Sequence, residues 1–513
     1  MMKKHILAAL AAGTMMASGG QALAADSWIK AQSDHFTLYS NAPEGKTRTY
    51  VKDLEQFRIL TLLLLGSADT GAQPRFTLYL LNNQDQIKLV RPGFANGVAG
   101  VYFGCGEGDS AYASVQTRGD MLDDQDPSLI VLFHEYSHFV MFQHARTYYP
   151  PWYVEGFAEY LSTADPMKDK ISIGENNKWR SWTLAEDRQI PYERVLKPSF
   201  GFAGDKSNDA WEVESFYAQS WLLTHYMLSD TSRAKAFNAY FAELAKGGDP
   251  VKSFEATTGI KVSSLHDTLA RYSQNMVYMN VPMPSYADAN IAVTHIAPDA
   301  GAWLLDRSLL TTCMMPDQGK AVLGRLQAQA AAAPADWDLK LAVARAQLLY
   351  DKPETAEATV SPVVDAHPDS FEANYLMGRV YMKEAETALD KDRTDLTDAA
   401  RGFFIAAYKL DKSNAANLYY LARSFQSKPG FPDTNAVNAA NAAHILAPSI
   451  SEYAIFDAFV NLAVGKRDEA VAMLTPYTGD PHNRAQAEKL QKAVDAIKAG
   501  KTANEVMRMM NGG

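Results

Sequence analysis

The sequence predicts an α+β N-terminal part, a mainly helical middle and, after them, an all-α array of helical repeats. Three observations carry this expectation. Phe36-Thr-Leu-Tyr39 and Phe76-Thr-Leu-Tyr-Leu-Leu81 are short runs of β-branched and aromatic residues that read as strands, with a helix between them around residues 51–65. Apolar residues then recur at helical spacing to about Tyr278. From about residue 318 the chain is alanine-rich and repeats a phrase at a fixed period. A chain of 513 residues is also too long for one core.

Residues 1–24 read as a targeting segment rather than as fold. Lys3 and Lys4 precede an apolar run over 6–16, and Ala22-Leu-Ala24 is a small-x-small cleavage site. The mature protein is expected to start near Ala25 and to be exported, which in a Gram-negative cell means the periplasm. Losing the two lysines moves the formal net charge from −10 to about −12, and no basic patch suggests a nucleic-acid partner. No later apolar run reaches the roughly 18 residues a membrane span needs, and residues 59–65 read as a core helix. Cys105 and Cys313 are the two cysteines; one pairing is open to them in an oxidising compartment, and the sequence does not decide it.

The chemistry gathers in residues 126–160. Asp126 followed by Pro127 is a helix start, a capping side chain and then proline at the first helical position. His134-Glu-Tyr-Ser-His138 follows, and residues four apart share a helix face, so both imidazoles can aim at one point. The flanks Ser128-Leu-Ile-Val-Leu-Phe133 and Phe139-Val-Met-Phe142 are apolar, so the motif is expected to be buried, and its polar groups then need partners. A metal ion supplies them.

Two residues compete as third ligand. His144 lies six positions after His138, but a third His at that spacing needs a glycine turn at 141, where Met141 carries the helix onward. Glu155 lies on a new helix after the break at Pro150-Pro151, starting around Trp152, and Gly156 beside it would let this helix approach the first closely. Glu155 is the better candidate. Two histidines and a carboxylate leave one position open, the pattern of a catalytic zinc. Glu135, next to the first ligand, would face that position as general base.

His134-Glu-x-x-His138 with Trp152-x-x-Glu155-Gly-x-Ala-Glu159-Tyr160 resembles the gluzincin metallopeptidases, the thermolysin and aminopeptidase N type, and most nearly the bacterial peptidase-MA-like proteins. The resemblance covers roughly residues 28–280. It implies one Zn2+ on His134, His138 and Glu155, with Glu159 orienting a histidine; a helix salt bridge is an equal reading of Glu159. In aminopeptidase-N-like relatives a tyrosine some sixty residues beyond the glutamate ligand donates to the oxyanion, and Tyr217 stands at that distance. Its other reading is an aromatic core residue, and His225 and Tyr226 are weaker candidates. Such relatives also lay a substrate-binding edge strand across the cleft, which residues 97–103 suit. The glutamate that anchors a free amino terminus there has no counterpart, which tilts the reading toward cutting within peptides. Gly104-Cys-Gly-Glu-Gly108 lacks the Lys and Ser/Thr of a phosphate loop and reads as a turn.

The expected organisation is a metallopeptidase-like domain over 25–285, a linker over 286–317 and repeats over 318–513. Within the first, strands fall in 28–120, metal helices in 127–163 and further helices in 205–280. Pro334 and Pro368 are 34 residues apart, and Tyr375-Leu-Met-Gly-Arg-Val-Tyr381 echoes Tyr420-Leu-Ala-Arg-Ser-Phe425 at an offset of 45. That offset is one repeat plus an insertion near the charged stretch 384–395. A further copy follows Pro448, and Gly465-Lys-Arg-Asp-Glu-Ala470 resembles a turn between paired helices. This part resembles three or four tetratricopeptide repeats, whose concave surface would bind a protein or peptide partner; an ordinary helical domain is the plainer alternative.

The sequence thus points to an exported zinc peptidase acting on a peptide or protein substrate. A non-catalytic periplasmic scaffold that uses its repeats is the alternative, and hydrolysis of a non-peptide amide is a third reading.

Overall fold

The computed structural model describes residues 28–67, 74–81, 84–90, 100–105, 108–114, 126–144, 148–185, 188–197, 210–287, 290–479 and 484–510. The expected targeting segment and positions 97–99 of the expected edge strand lie outside them.

Strands β1 (Ile29–Gln32) and β2 (Phe36–Ser40) lead into α1 (Glu44–Leu64), followed by β3 (Phe76–Leu81), α2 (Gln84–Val90), β4 (Gly100–Cys105) and β5 (Gly108–Ser114). The two strands read from the sequence are β2 and β3, parallel neighbours with Phe36 opposite Phe76. Helix α1 starts earlier than residue 51, directly after Pro43, with Glu44 in its first turn. Next come α3 (Pro127–His144), α4 (Pro151–Ser162), β6 (Asp165–Pro166), β7 (Lys170–Ile173), α5 (Lys178–Ala185), α6 (Tyr192–Val195), α7 (Ala210–Leu228), α8 (Thr231–Ala245), α9 (Pro250–Thr258) and α10 (Leu265–Tyr272). Strands β8 (Met279–Pro282) and β9 (Ala292–His295) precede α11 (Pro298–Leu309) and α12 (Pro316–Ala332).

The main sheet has the order β4-β5-β3-β2-β1-β9, and β6-β7-β8 form a second, small sheet. Side chains of a strand alternate between faces. Phe76, Leu78 and Leu80 of β3 join Phe36, Leu38, Ala111 and Ala113 under Leu54 and Phe57 of α1 and Phe133 and Tyr136 of α3. The alternate residues Tyr79 and Leu81 join Val101 and Tyr112 against Trp303 and Leu304 of α11 and Val322 and Leu323 of α12. The sheet is therefore covered on both faces, which is why β3 reads as a near-continuous apolar run.

One expectation is corrected here, and one feature is added to the sequence reading. The passage 286–317 is not a bare linker: β9 pairs antiparallel with β1, Ile29 opposite His295, and α11 packs on the sheet. Its prolines mislead because Pro298 and Pro316 open helices, where a missing N–H costs nothing. The small sheet is also absent from the sequence reading. Its β6 is two residues long, and β8 ends in Pro282 at a sheet edge, the position that tolerates proline.

Beyond α12 the chain is a series of antiparallel pairs: α13 (Trp337–Tyr350) with α14 (Pro353–Ala366), α15 (Phe371–Ala385) with α16 (Asp390–Leu410), α17 (Ala415–Ser424) with α18 (Thr434–Leu446), and α19 (Ser451–Ala463) with α20 (Arg467–Leu474). Helices α21 (Arg484–Lys498) and α22 (Ala503–Met510) close it. This is a helical, solenoid-like C-terminal region. The first two pairs start at Trp337 and Phe371, at the expected period of 34. The third starts later because α16 extends to 21 residues and absorbs the charged insertion. Gly465 turns α19 into α20 with φ +88°, a conformation L side chains rarely adopt. Cys313, between α11 and α12, is disulfide-bonded, and the chain has one other cysteine, Cys105. Among the described residues no helix is long and apolar enough to cross a membrane.

Candidate metal centre

Helix α3 begins as its sequence suggests. The Asp126 carboxylate accepts from the Ser128 N–H at 3.0 Å, and the same side chain accepts from the Tyr50 hydroxyl at 2.7 Å, tying the start of α3 to α1. The helix runs unbroken past Met141 to His144. One face packs Phe133 flat on Phe57, with ring centroids 3.9 Å apart. The opposite side carries the two histidines toward α4.

There the ring nitrogens meet. Nε2 of His134 and Nε2 of His138 stand 3.1 Å apart. Oε2 of Glu155 lies 3.7 Å from the first and 3.5 Å from the second. Ligand atoms held about 2.0–2.2 Å from a tetrahedral zinc are about 3.3–3.5 Å from one another, so the triangle fits the ion. His138 and Glu155 are buried and His134 keeps 17% side-chain exposure, leaving solvent access on one side. Among the described residues, this is the one His/Cys/Asp/Glu group compact enough to hold a metal. His144 is outside it, at the far end of α3, as an uninterrupted helix requires.

Glu159 stands one turn after Glu155, and its Oε1 is 3.5 Å from Nδ1 of His134. A carboxylate there favours the proton on Nδ1 and leaves the Nε2 lone pair for a metal. Glu159 is itself gripped by Arg180, with Nη2 to Oε1 at 2.7 Å and Nε to Oε2 at 3.0 Å, and by the Asn177 amide at 3.2 Å. Its ion pair therefore runs to α5, not along its own helix. Asn177 and Arg180 escaped the sequence reading. The signal is faint: an Asn and an Arg in Asn176-Asn-Lys-Trp-Arg-Ser-Trp182.

Glu135 is buried, and its Oε1 would stand 3.1 Å from a Cβ placed on Gly100 of β4. A side chain at 100 would also meet Val131 at 2.3 Å, so only glycine lets the sheet edge come this close to α3. Positions 100–103 of the expected edge strand do form β4, at the edge of the sheet. Tyr217 of α7 stands in the same place. The Arg180 guanidinium covers its ring at 5.1 Å. Burial first, then the carboxylates of Glu155, Glu159 and Glu135, push its hydroxyl well above the usual tyrosine range. His225 does not belong here: Nδ1 bonds the Tyr272 hydroxyl at 2.7 Å and Nε2 the Gly174 carbonyl at 2.8 Å, and burial lowers its pKa. Tyr226 packs on Tyr272 under Arg233.

Gly156 has a different role from the one its position suggested. A Cβ there would meet Thr224 Oγ1 at 2.3 Å and the Ser220 carbonyl at 2.4 Å. The glycine brings α4 against α7, not against α3, and so brings Tyr217 toward Glu155 and Glu159.

No family model matches the chain, and none of the curated proteins matches it. Among solved structures, a thermophilic TPR protein from Thermus thermophilus is similar at 16% identity and TM-score 0.33, covering 39% of this chain and 99% of that one. A likeness this distant carries no argument.

Proposed function

We propose that the chain is a zinc-dependent peptidase of the gluzincin type, exported and acting on peptide bonds. The supporting observation is the triangle of two imidazole nitrogens and one buried carboxylate oxygen at zinc spacing, with a second buried carboxylate, Glu135, next to His134 in the chain. Bound zinc would polarise the scissile carbonyl and lower the pKa of a water in its open position to about 7. His134, His138 and Glu155 would hold the ion, and Glu159, clamped by Arg180, would keep His134 in the tautomer that binds it. Glu135 takes a proton from the attacking water on its carboxylate and delivers it to the leaving amine. The Tyr217 hydroxyl, kept neutral by burial and its acidic surroundings, donates to the carbonyl oxygen as charge grows there. Burial of these groups raises the worth of each charge–dipole contact.

Glu135→Gln tests the reading. The variant is expected to bind one zinc per chain and to lose hydrolysis of a mixed peptide substrate by at least about a hundredfold. Equal turnover by variant and parent would remove Glu135 from the mechanism. A scaffold reading draws on the helical pairs, and zinc-loaded parent protein that cuts nothing across a proteome-wide cleavage screen would favour it. The helical pairs would then serve, in either reading, to bind a protein partner.

A further inference from the structure

We propose that Arg180 is a positioning residue for Tyr217 as well as for Glu159, so that one guanidinium sets the oxyanion donor and a metal-facing histidine in a fixed relation. The proposal rests on the peptidase reading and adds a residue of the reaction to it.

The guanidinium is placed from the start of α5. The side-chain oxygen of Asn177 accepts from the Arg180 N–H at 3.0 Å and caps the helix, and the same amide donates to Glu159. Arg180 keeps 14% side-chain exposure, and its edge is committed on both sides. Nη2 and Nε donate to the two oxygens of Glu159 on α4, and Nη1 donates to Oε2 of Glu214 on α7 at 2.7 Å.

Bonds along the edge leave the flat face of the group. That face lies over the Tyr217 ring, 5.1 Å from its centroid, within reach of a cation–π contact. Glu214 and Tyr217 are three apart on α7 and so lie on one side of it. Arg180 therefore holds α7 through Glu214 and the phenol ring through its face, while its other bonds hold Glu159 beside His134.

The arrangement has a chemical consequence. A donor to a growing oxyanion acts best when it is aimed before the charge develops. A phenol free to swing would have to be ordered at every turnover. The guanidinium fixes the ring, and its positive charge favours the negative charge that builds on the phenol oxygen as it donates. Neutralising carboxylates needs only a charge, which lysine would supply. A flat group bonded at its edge to two helices and stacked on an aromatic ring needs the planar fork of arginine.

The test is a double-mutant cycle on the full chain, each form saturated with zinc, with Arg180→Lys and Tyr217→Phe made singly and together. It is read in kcat and KM, and in the affinity for a phosphinic peptide whose tetrahedral phosphinate replaces the scissile amide. Tyr217→Phe is expected to lower kcat and phosphinic affinity by about a hundredfold. Arg180→Lys is expected to lower both by at least about tenfold, with KM changed less than about threefold. Once the Tyr217 hydroxyl is gone, the same substitution is expected to change either by less than about threefold. Glu214→Ala, at a half-exposed position that leaves Glu159 alone, is expected to act in the same direction at unchanged zinc affinity. The proposal is overturned if Arg180→Lys has the same effect with and without the Tyr217 hydroxyl, if Tyr217→Phe has none, or if Glu214→Ala leaves phosphinic affinity unchanged. Turnover by the parent against Glu135→Gln tests the peptidase reading separately, so the two failures are distinguishable.

Discussion

Glu159 shows how much the proposed metal centre would depend on side chains that are not themselves ligands. Its carboxylate faces His134 on one side and takes two bonds from Arg180 on the other. Removing that grip frees the carboxylate to rotate and the imidazole with it. Arg180→Ala is therefore expected to weaken zinc binding about 10–100-fold, read by competition with a chelator, while the fold persists. Arg180→Lys, which cannot make the paired bonds, is expected to recover only part of the loss; unchanged affinity in Arg180→Ala would reduce the network to a structural tie. The convergence of His134 and His138 was legible because helix periodicity converts their spacing into a shared direction. Glu155 was legible because Pro150 and Pro151 announce a new helix. Arg180 was not, because its place beside Glu159 is set by how α5 folds back, and no local pattern encodes that.

At the scale of elements, close approach is the device that assembles the site, and glycines provide it. Gly156→Ala would drive a methyl group into the backbone carbonyl of Ser220, which cannot move aside as a side chain can. The expected result is a loss of about 1–3 kcal/mol in stability, read by chemical denaturation, together with weaker zinc binding as α4 shifts; an unchanged midpoint would mean α4 and α7 are looser than their spacing indicates. A second joint links the β4–β5 hairpin to the loop before α19. Asp109 accepts from the Tyr102 hydroxyl and from Ser449 Oγ, both at 2.5 Å. Burial, outweighing these two donors, pushes its carboxyl up to about 6. The folded chain thus holds this proton more tightly than the unfolded one, whose aspartate titrates near about 3.9. The stability it adds is present below about pH 4 and is lost as pH rises through about 6. Melting temperatures of the parent minus those of Asp109→Asn are expected to fall between pH 4 and pH 7, and a flat difference would contradict the assignment. Elements were readable where pattern is local, as in β2, β3, α3 and the helical pairs. The sequence misled where proline was read as a break and instead opened α11 and α12.

The whole molecule is less divisible than its sequence suggests. The second face of the sheet is covered by α11, α12 and α13, so the start of the helical array belongs to the same apolar cluster as β3 and β5. A fragment of residues 25–285 would lose β9 and expose Tyr79, Leu81 and Tyr112 to water. It is expected to aggregate or to lack a cooperative melt, whereas a fragment reaching residue 350 keeps that cluster; a cooperative melt of the shorter piece would restore the linker view. That the chain has a sheet-bearing part and a helical array was visible from composition and period. That they share a core was not, because the contacts join residues about two hundred positions apart. Everything proposed about chemistry depends on the metal, so the most direct measurement is zinc stoichiometry after equilibration and dialysis, by inductively coupled plasma mass spectrometry. The account expects about one zinc per parent chain and close to none in Glu155→Ala; a folded parent chain that retains no zinc would contradict it.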